Sequence, residues 1–296
     1  MNHRHISRIL KQVDSLPPLP ATVSRVLAIT ADPESSADDL VNGILPDQAM
    51  CATILKFANS AFFGIPRNVA TMNKAVNVLG FNEVHNIVLG KAVFNSFQII
   101  GRENKKTING FWNHSFSCGL SAKILAKDLR YSQSELFIGG LIHDIGKLIL
   151  LIALPDIYRP ILERETDDQV QHRQAETDTF GIDHCQVGFK ILNRWLFPER
   201  LLASVAYHHQ PDQCPEEHKV YPTIIEISDA LSHLLSMKEE HEAESLLSQF
   251  SSLLPDRAAL WQEHNLKIDE EQLQSWMKTL ETSLEEDSGI RQTLSS

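Results

Sequence analysis

The chain has 296 residues, 43% hydrophobic and 22% charged, a balance that fits one large globular domain or two ordinary ones and excludes a disordered or fibrous chain. Its 27 Lys and Arg against 38 Asp and Glu leave a net charge of -11, which argues against nucleic acid or an anionic membrane as a broad electrostatic partner. The four cysteines, Cys51, Cys118, Cys185 and Cys214, form no CxxC, so the sequence predicts neither a disulfide framework nor a thiolate zinc site, and a reducing, cytoplasmic setting is expected.

The opening MNHRHISRIL holds no apolar core of signal-peptide length. No later run approaches the roughly eighteen apolar residues of a membrane span, so none is predicted. LPPLP at residues 16–20 cannot be helix interior and reads as an extended entry to the first long helix. From Ala21, apolar residues recur at helical spacing: Val23, Val26 and Leu27, then Leu40, Val41, Ile44 and Leu45. Breaks fall at Asp32-Pro33, Pro46-Asp47, Gly64-Ile65-Pro66 and Gly80, with Ser36 and Asp47 as candidate caps. No segment sustains a strand-like alternation, so the predicted fold class is all-α. The polar stretch GRENKKTING, residues 101–110, is the expected boundary between a front module (1–105) and a back module (106–236). An acidic, Ser-rich extension (237–296) follows, in which Leu246, Leu247, Phe250, Leu260 and Trp261 are expected to dock a helix. Glu239-Glu240 reads as a solvated helix face and the tail as frayed.

Within the back module, GLIHDIGKL (residues 140–148) sets His143, Asp144 and Lys147 in an otherwise apolar run. Two adjacent buried polar side chains are costly unless something satisfies them, and imidazole beside carboxylate is a metal-ligand pairing. Partners exist on either side: His114 in FWNHSFSCGL, His184 in GIDHCQVGF, His208-His209 in SVAYHHQPD and Asp229 in IIEISDAL. The set is sufficient for two divalent cations, held on inward-facing helices as in metal-binding bundles. By contrast, His85, His172, His233 and His264, each alone, read as surface or internally satisfied residues. Asn59-Ser60 reads as a turn or helix end satisfied by local backbone bonds, and Phe57, Phe62 and Phe63 as core or module-interface residues.

The order and settings of His114, His143-Asp144, His184, His208-His209 and Asp229 resemble the HD superfamily of helical metal-dependent phosphohydrolases. The front half, from LPPLPATVSRVLAITADPESSADDL through Asp47, Asn59-Ser60 and Leu79-Gly80, is similar to the HDOD family, the HD-related output domains of bacterial signalling proteins. The resemblance runs from about Leu16 to about Leu235. It implies an HD-type helical bundle packed with an N-terminal HDOD module. It also implies one cation held by His114, His143, Asp144 and Asp229, and a second by Asp144, His184, His208 and His209, with Asp144 bridging. Asp144 would then be central to catalysis and Lys147 would meet a substrate phosphate as a point charge. Ligands of this kind suit iron, manganese or zinc. The implied activity is hydrolysis of a phosphoester, a nucleotide or cyclic nucleotide. The alternative is a signalling module, cytoplasmic and bacterial, that binds a protein partner and keeps its metal for structure, with input from a separate protein. Two departures narrow the expectation. HHQPDQCPEEHKVYP lacks the GYP signature of cyclic-di-GMP phosphodiesterases, and Gly110 stands where three-metal relatives carry a Glu.

Overall fold

A computed structural model describes residues 2–60, 62–65, 68–98, 105–162, 169–237, 245–264 and 266–286. Among these residues every regular element is a helix, as the absence of alternation predicts. In chain order they are α1 (Asn2–Ser15), α2 (Ala21–Ala31), α3 (Ala37–Ile44), α4 (Gln48–Ala58), α5 (Met72–Leu79) and α6 (Phe81–Gln98). Then come α7 (Lys105–Leu129), α8 (Gln133–Ile142), α9 (Ile145–Ala153), α10 (Pro155–Leu162), α11 (Gln169–Phe180) and α12 (His184–Arg194). The last are α13 (Glu199–Tyr207), α14 (Val220–Met237), α15 (Leu246–Leu253), α16 (Ala258–Glu263) and α17 (Glu270–Glu286). Glu239-Glu240, residues 101–104 of the polar boundary and residues 287–296 of the tail lie outside the described residues.

The helices divide into two compact units: Met1–Leu16 with Lys105–Leu280, and Pro17–Asn104 with Glu281–Ser296. In the front unit, Ser36 closes a capping box with Asp39 at the start of α3, and Asp47 accepts from the Met50 amide at 2.9 Å to start α4. Asn59 ends α4 and fixes the following loop, its side chain taking the Val69 N–H and giving to the Val69 carbonyl, both at 2.8 Å. Ser60 bonds back to the Phe57 carbonyl, so the polar pair is a structural turn. Phe57 and Phe62 are buried.

The back unit takes in more chain than residues 106–236. Helix α1 belongs to it, burying Ile9 and Val13 and packing on α9, α11 and α12. The C-terminal helices also join it. Phe250, Trp261, Leu273 and Trp276 share one core with Leu125 and Ile224, and Trp276 Nε1 donates to Asp128 at 2.8 Å. Helical periodicity shows that such a segment has an apolar face; only packing decides which neighbour covers it. The stretch Gln133–Ala153 is long and apolar enough to cross a membrane by composition, contrary to the expectation that no run comes close. In the fold 89% of its most apolar window is buried, as in a core helix, and the helix is interrupted at His143-Asp144.

Two close helix crossings assemble the back unit. At Gly140 a Cβ would lie 2.7 Å from the Gly119 Cα, so glycine is what lets α8 approach α7. At Gly146 a Cβ would overlap the His184 carbonyl oxygen, so α9 and the start of α12 meet backbone to backbone. With α14 packed on α7 and α8, these crossings bring the ends of distant segments into one cluster. Gly146→Ala is therefore expected to destabilise the protein by at least about 2 kcal/mol in denaturant unfolding. Gly110→Ala, where a Cβ meets nothing within 4 Å, should instead stabilise α7 by about 0.5–1 kcal/mol. Equal effects at both positions would contradict the role given to the α9–α12 crossing.

Candidate metal centre

The helix break between α8 and α9 sets the centre of the site. His143 caps the end of α8 and Asp144 begins α9, and both are buried, at 0% and 2% exposure. The two oxygens of Asp144 face different imidazoles. Its Oδ2 lies 3.4 Å from His143 Nε2 and 4.0 Å from His114 Nε2. Its Oδ1 lies 3.2 Å from His184 Nε2 and 3.6 Å from His208 Nε2. On the first side, Asp229 Oδ1 comes 3.0 Å from His114 Nε2 and 3.7 Å from His143 Nε2. On the second, His209 Nε2 is 3.2 Å from His184 Nε2. All seven side chains singled out as ligands thus converge in this cluster, supplied by α7, α8, α9, α12, α14 and the end of α13.

In four of the five rings the other nitrogen is already engaged. His143 Nδ1 faces the Gly140 carbonyl at 2.7 Å and His208 Nδ1 the Val205 carbonyl at 3.0 Å, each one turn earlier in its own helix. His184 Nδ1 meets Glu176 Oε2 at 2.8 Å, and His114 Nδ1 meets the Ser232 hydroxyl at 3.3 Å. As donors to these acceptors, the Nδ1 atoms leave Nε2 as the free lone pair, the arrangement that orients metal-binding histidines. Glu176 is itself buried, accepts from the His184 backbone N–H at 2.8 Å, and receives the Tyr158 hydroxyl at 2.7 Å on its other oxygen.

Electrostatically the cluster is coupled. Burial pushes the Asp144 carboxyl up, but His143 and Lys147 outweigh it and hold the group well below the usual carboxylate range. Burial likewise opposes ionisation of Asp229, and His233 and His114 reverse it. His143 is pulled down by burial and raised well above its ordinary value by Asp144. His209 goes the other way, lowered by burial and by its neighbours His208 and His184. Lys147 Nζ sits 2.6 Å from Asp144 Oδ2, so its ammonium is spent on the carboxylate that the sequence reading made a bridge.

The residues fit divalent cations. His143 Nε2, His208 Nε2, Asp144 Oδ1 and Asp229 Oδ1 are buried without a hydrogen bond, the Asp229 oxygen lying near His114 Nε2 but out of bonding geometry. Orphaned buried polar atoms cost about 1–3 kcal/mol each, and a cation among them would satisfy the set at once. His114, His143 and Asp229, and likewise His143, Asp144 and His208, offer ligand atoms within 4.8 Å of one another. A cavity of about 300 Å³ opens on the cluster, its walls including His114, Asp144, Lys147, Tyr158, His172 and His233.

Several residues here escaped the sequence reading. His233, taken as a bystander, places Nε2 3.4 Å from Asp229 Oδ1, and His172 lines the cavity. The i, i+4 spacing of Asp229 and His233 on α14 was the available signal for the first. Glu176 and Tyr158 had none. Nor did Arg257, which reaches Glu226 Oε1 at 3.0 Å and the His209 carbonyl at 3.1 Å from the C-terminal extension. Cys185, set aside for want of a CxxC, has Sγ 3.5 Å from His184 Nε2. Burial would raise its thiol, but His184 and His208 bring it down to about 6.

Comparison with known proteins bears on the fold and the family. A candidate phosphohydrolase from Shewanella amazonensis SB2B superposes with a TM-score of 0.73 at 21% identity, covering 98% of this chain and 99% of that one. An HDOD domain protein with unknown function from Geobacter sulfurreducens does so at 0.68 and 21%, covering 100% and 97%. These likenesses show a shared fold. An uncharacterized protein of Treponema pallidum (strain Nichols) is 24% identical over 246 residues, 82% of this chain; the chain spans only 47% of that relative's length. The HDOD domain profile matches residues 16–211, from LPPLP through the paired histidines. With more than half of its length so matched, and with the all-helical fold its relatives share, the chain belongs to the HDOD family.

Proposed function

We propose that this protein holds two divalent transition-metal cations and hydrolyses a phosphoester, a nucleotide or cyclic nucleotide, as part of a signalling output. The observation that carries the reading is the orientation of Asp144: one oxygen toward His114 and His143, the other toward His184 and His208, beside a cavity large enough for a small substrate. His114, His143, Asp144 and Asp229 would hold one cation, and Asp144, His184, His208 and His209 the other. Two cations so placed would supply Lewis-acid polarisation of the phosphoryl group and acidify the attacking water. The chain's own part is positioning. The Nδ1 bonds fix the rings, the apolar helices around Asp144 exclude bulk water, and His114, the ligand with its side chain 23% exposed, marks the open side. Lys147, on the cavity wall and paired with Asp144, would meet a phosphate oxygen as a point charge were that carboxylate bound to a cation.

A second reading, that the metal is structural and the chain acts as a binding module, draws on the front unit. Among the described residues, every cluster able to hold a metal lies in the back unit, while the front unit exposes Leu45 and Val78, at 51% and 45%. These side chains would present the contact to a signalling protein.

Elemental analysis of protein purified without chelator should find about two transition-metal ions per chain, with both lost in Asp144→Ala. Hydrolysis of bis(p-nitrophenyl) phosphate and of a cyclic-nucleotide panel should fall at least about 10²-fold in the same variant. Metal retained with no turnover of any phosphoester would leave the binding-module reading in its place. Glu176→Gln, which keeps size but removes the charge on His184, is expected to weaken metal binding about 10- to 100-fold in chelator competition; unchanged affinity would remove Glu176 from the support of the site. Lys147→Met should lower kcat/KM about 10- to 100-fold with metal content preserved, as expected for loss of one charge-assisted bond. A loss of metal instead would mean that the lysine serves the fold.

A further inference from the structure

Around His184 Nε2 stand three other potential donors, and their distances resemble the edges of a coordination polyhedron. Asp144 Oδ1 is 3.2 Å away, His209 Nε2 3.2 Å and Cys185 Sγ 3.5 Å. Tetrahedral coordination with metal–nitrogen and metal–oxygen bonds of about 2.0–2.2 Å and a metal–sulfur bond of about 2.3 Å gives donor–donor edges of about 3.3–3.6 Å for nitrogen or oxygen pairs and about 3.5–3.7 Å for nitrogen to sulfur. The three separations from His184 Nε2 fall at or just below the short end of these ranges, and the longest is the sulfur's. His184, Cys185, His208 and His209 also form a group whose ligand atoms all lie within 4.8 Å of one another.

We propose that Cys185 is a thiolate ligand of the second cation and takes the place given above to His208, together with His184, His209 and the Oδ1 of Asp144. The inference rests on the dinuclear reading above and adds to it a donor that the imidazole and carboxylate pattern does not contain. Two further observations point to a ligand here. Asp144 Oδ1, one of the four donors, is buried without a hydrogen bond. Cys185 itself is 2% exposed, follows His184 in the first turn of α12, and has its sulfur between His184 Nε2 and His208 Nδ1, the latter at 3.9 Å. Two imidazole nitrogens within 4 Å of its sulfur are more than a small apolar filler requires. Binding converts the thiol to a thiolate and releases one proton to solvent, with no change of oxidation state.

The two positions then differ in kind. The first, of His114, His143 and Asp229 with Asp144 Oδ2, is built of nitrogen and oxygen and suits iron or manganese. The second, carrying sulfur, favours a softer ion such as zinc. Mixed occupancy, with a different metal at each position, follows from that asymmetry.

Cobalt(II) titration of metal-free protein under anaerobic conditions tests this directly, because a cobalt–thiolate bond produces near-ultraviolet charge-transfer absorption while the visible ligand-field bands report binding by any donor. Wild-type protein should develop both. Cys185→Ser and Cys185→Ala should keep the visible bands and lose the near-ultraviolet one, whereas Cys118→Ser, at a second buried cysteine of this unit, beside His143, should keep both. Visible bands without charge transfer in the wild type would overturn the cysteine assignment and leave the dinuclear site standing. Charge transfer that survives in both Cys185 variants would overturn it as well. Failure of the wild type to bind cobalt at all would remove the dinuclear reading and this one with it.

Discussion

A buried carboxylate surrounded by imidazoles is the constraint on which the back unit is organised. Removing a charge such as that of Asp144 from water costs several kcal/mol unless partners replace the lost solvation. Its partners here come from segments far apart in sequence: Lys147 one turn on, His114 on α7, His184 on α12 and His208 after α13. The helices that carry these groups cannot slide without breaking the compensation. That explains the glycines at the crossings, since Gly140 and Gly146 allow α8 and α9 to come close enough for short side chains to meet. It also explains why an apolar stretch long enough for one continuous helix breaks at His143-Asp144.

Support for the cluster extends outward in layers. The first is backbone: carbonyls of Gly140 and Val205 set two of the rings by bonds within their own helices, so ring orientation there is a local property. The second is a buried chain of side chains, Tyr158 to Glu176 to His184, which depends on α10 and α11 being packed against α9 and α1. A third comes from the C-terminal extension. Arg257 bonds the His209 carbonyl and pairs with Glu226, whose carboxyl is raised by burial to about 7 even though Arg257 and His208 pull it down. The extension therefore braces the turn that carries the paired histidines, and it belongs to the site as much as to the core.

The centre of the cluster was readable because adjacency is a sequence property. His143-Asp144 and His208-His209 each place two polar groups in apolar surroundings, and such pairs have few purely structural explanations. The caps at Ser36 and Asp47 and the turn at Asn59-Ser60 were readable for a similar reason, since a cap and its acceptor lie within a few residues. Glu176, Tyr158, Arg257 and Cys185 were not. Each looks ordinary in its own segment and acquires its role from a partner between one and forty-eight residues away, whose direction the segment does not reveal.

Taken alone, the sequence determined that the chain is helical, where several of its helices begin and end, and which histidines and aspartates are too costly to bury without company. Those are consequences of periodicity, capping and desolvation, all of which act over one or two turns. Tertiary structure decided which unit α1 and the C-terminal helices join, which oxygen of Asp144 faces which imidazoles, and that a cysteine stands among the nitrogens. These depend on helix crossings set by contacts between distant backbones, and no local pattern encodes where two helices will touch.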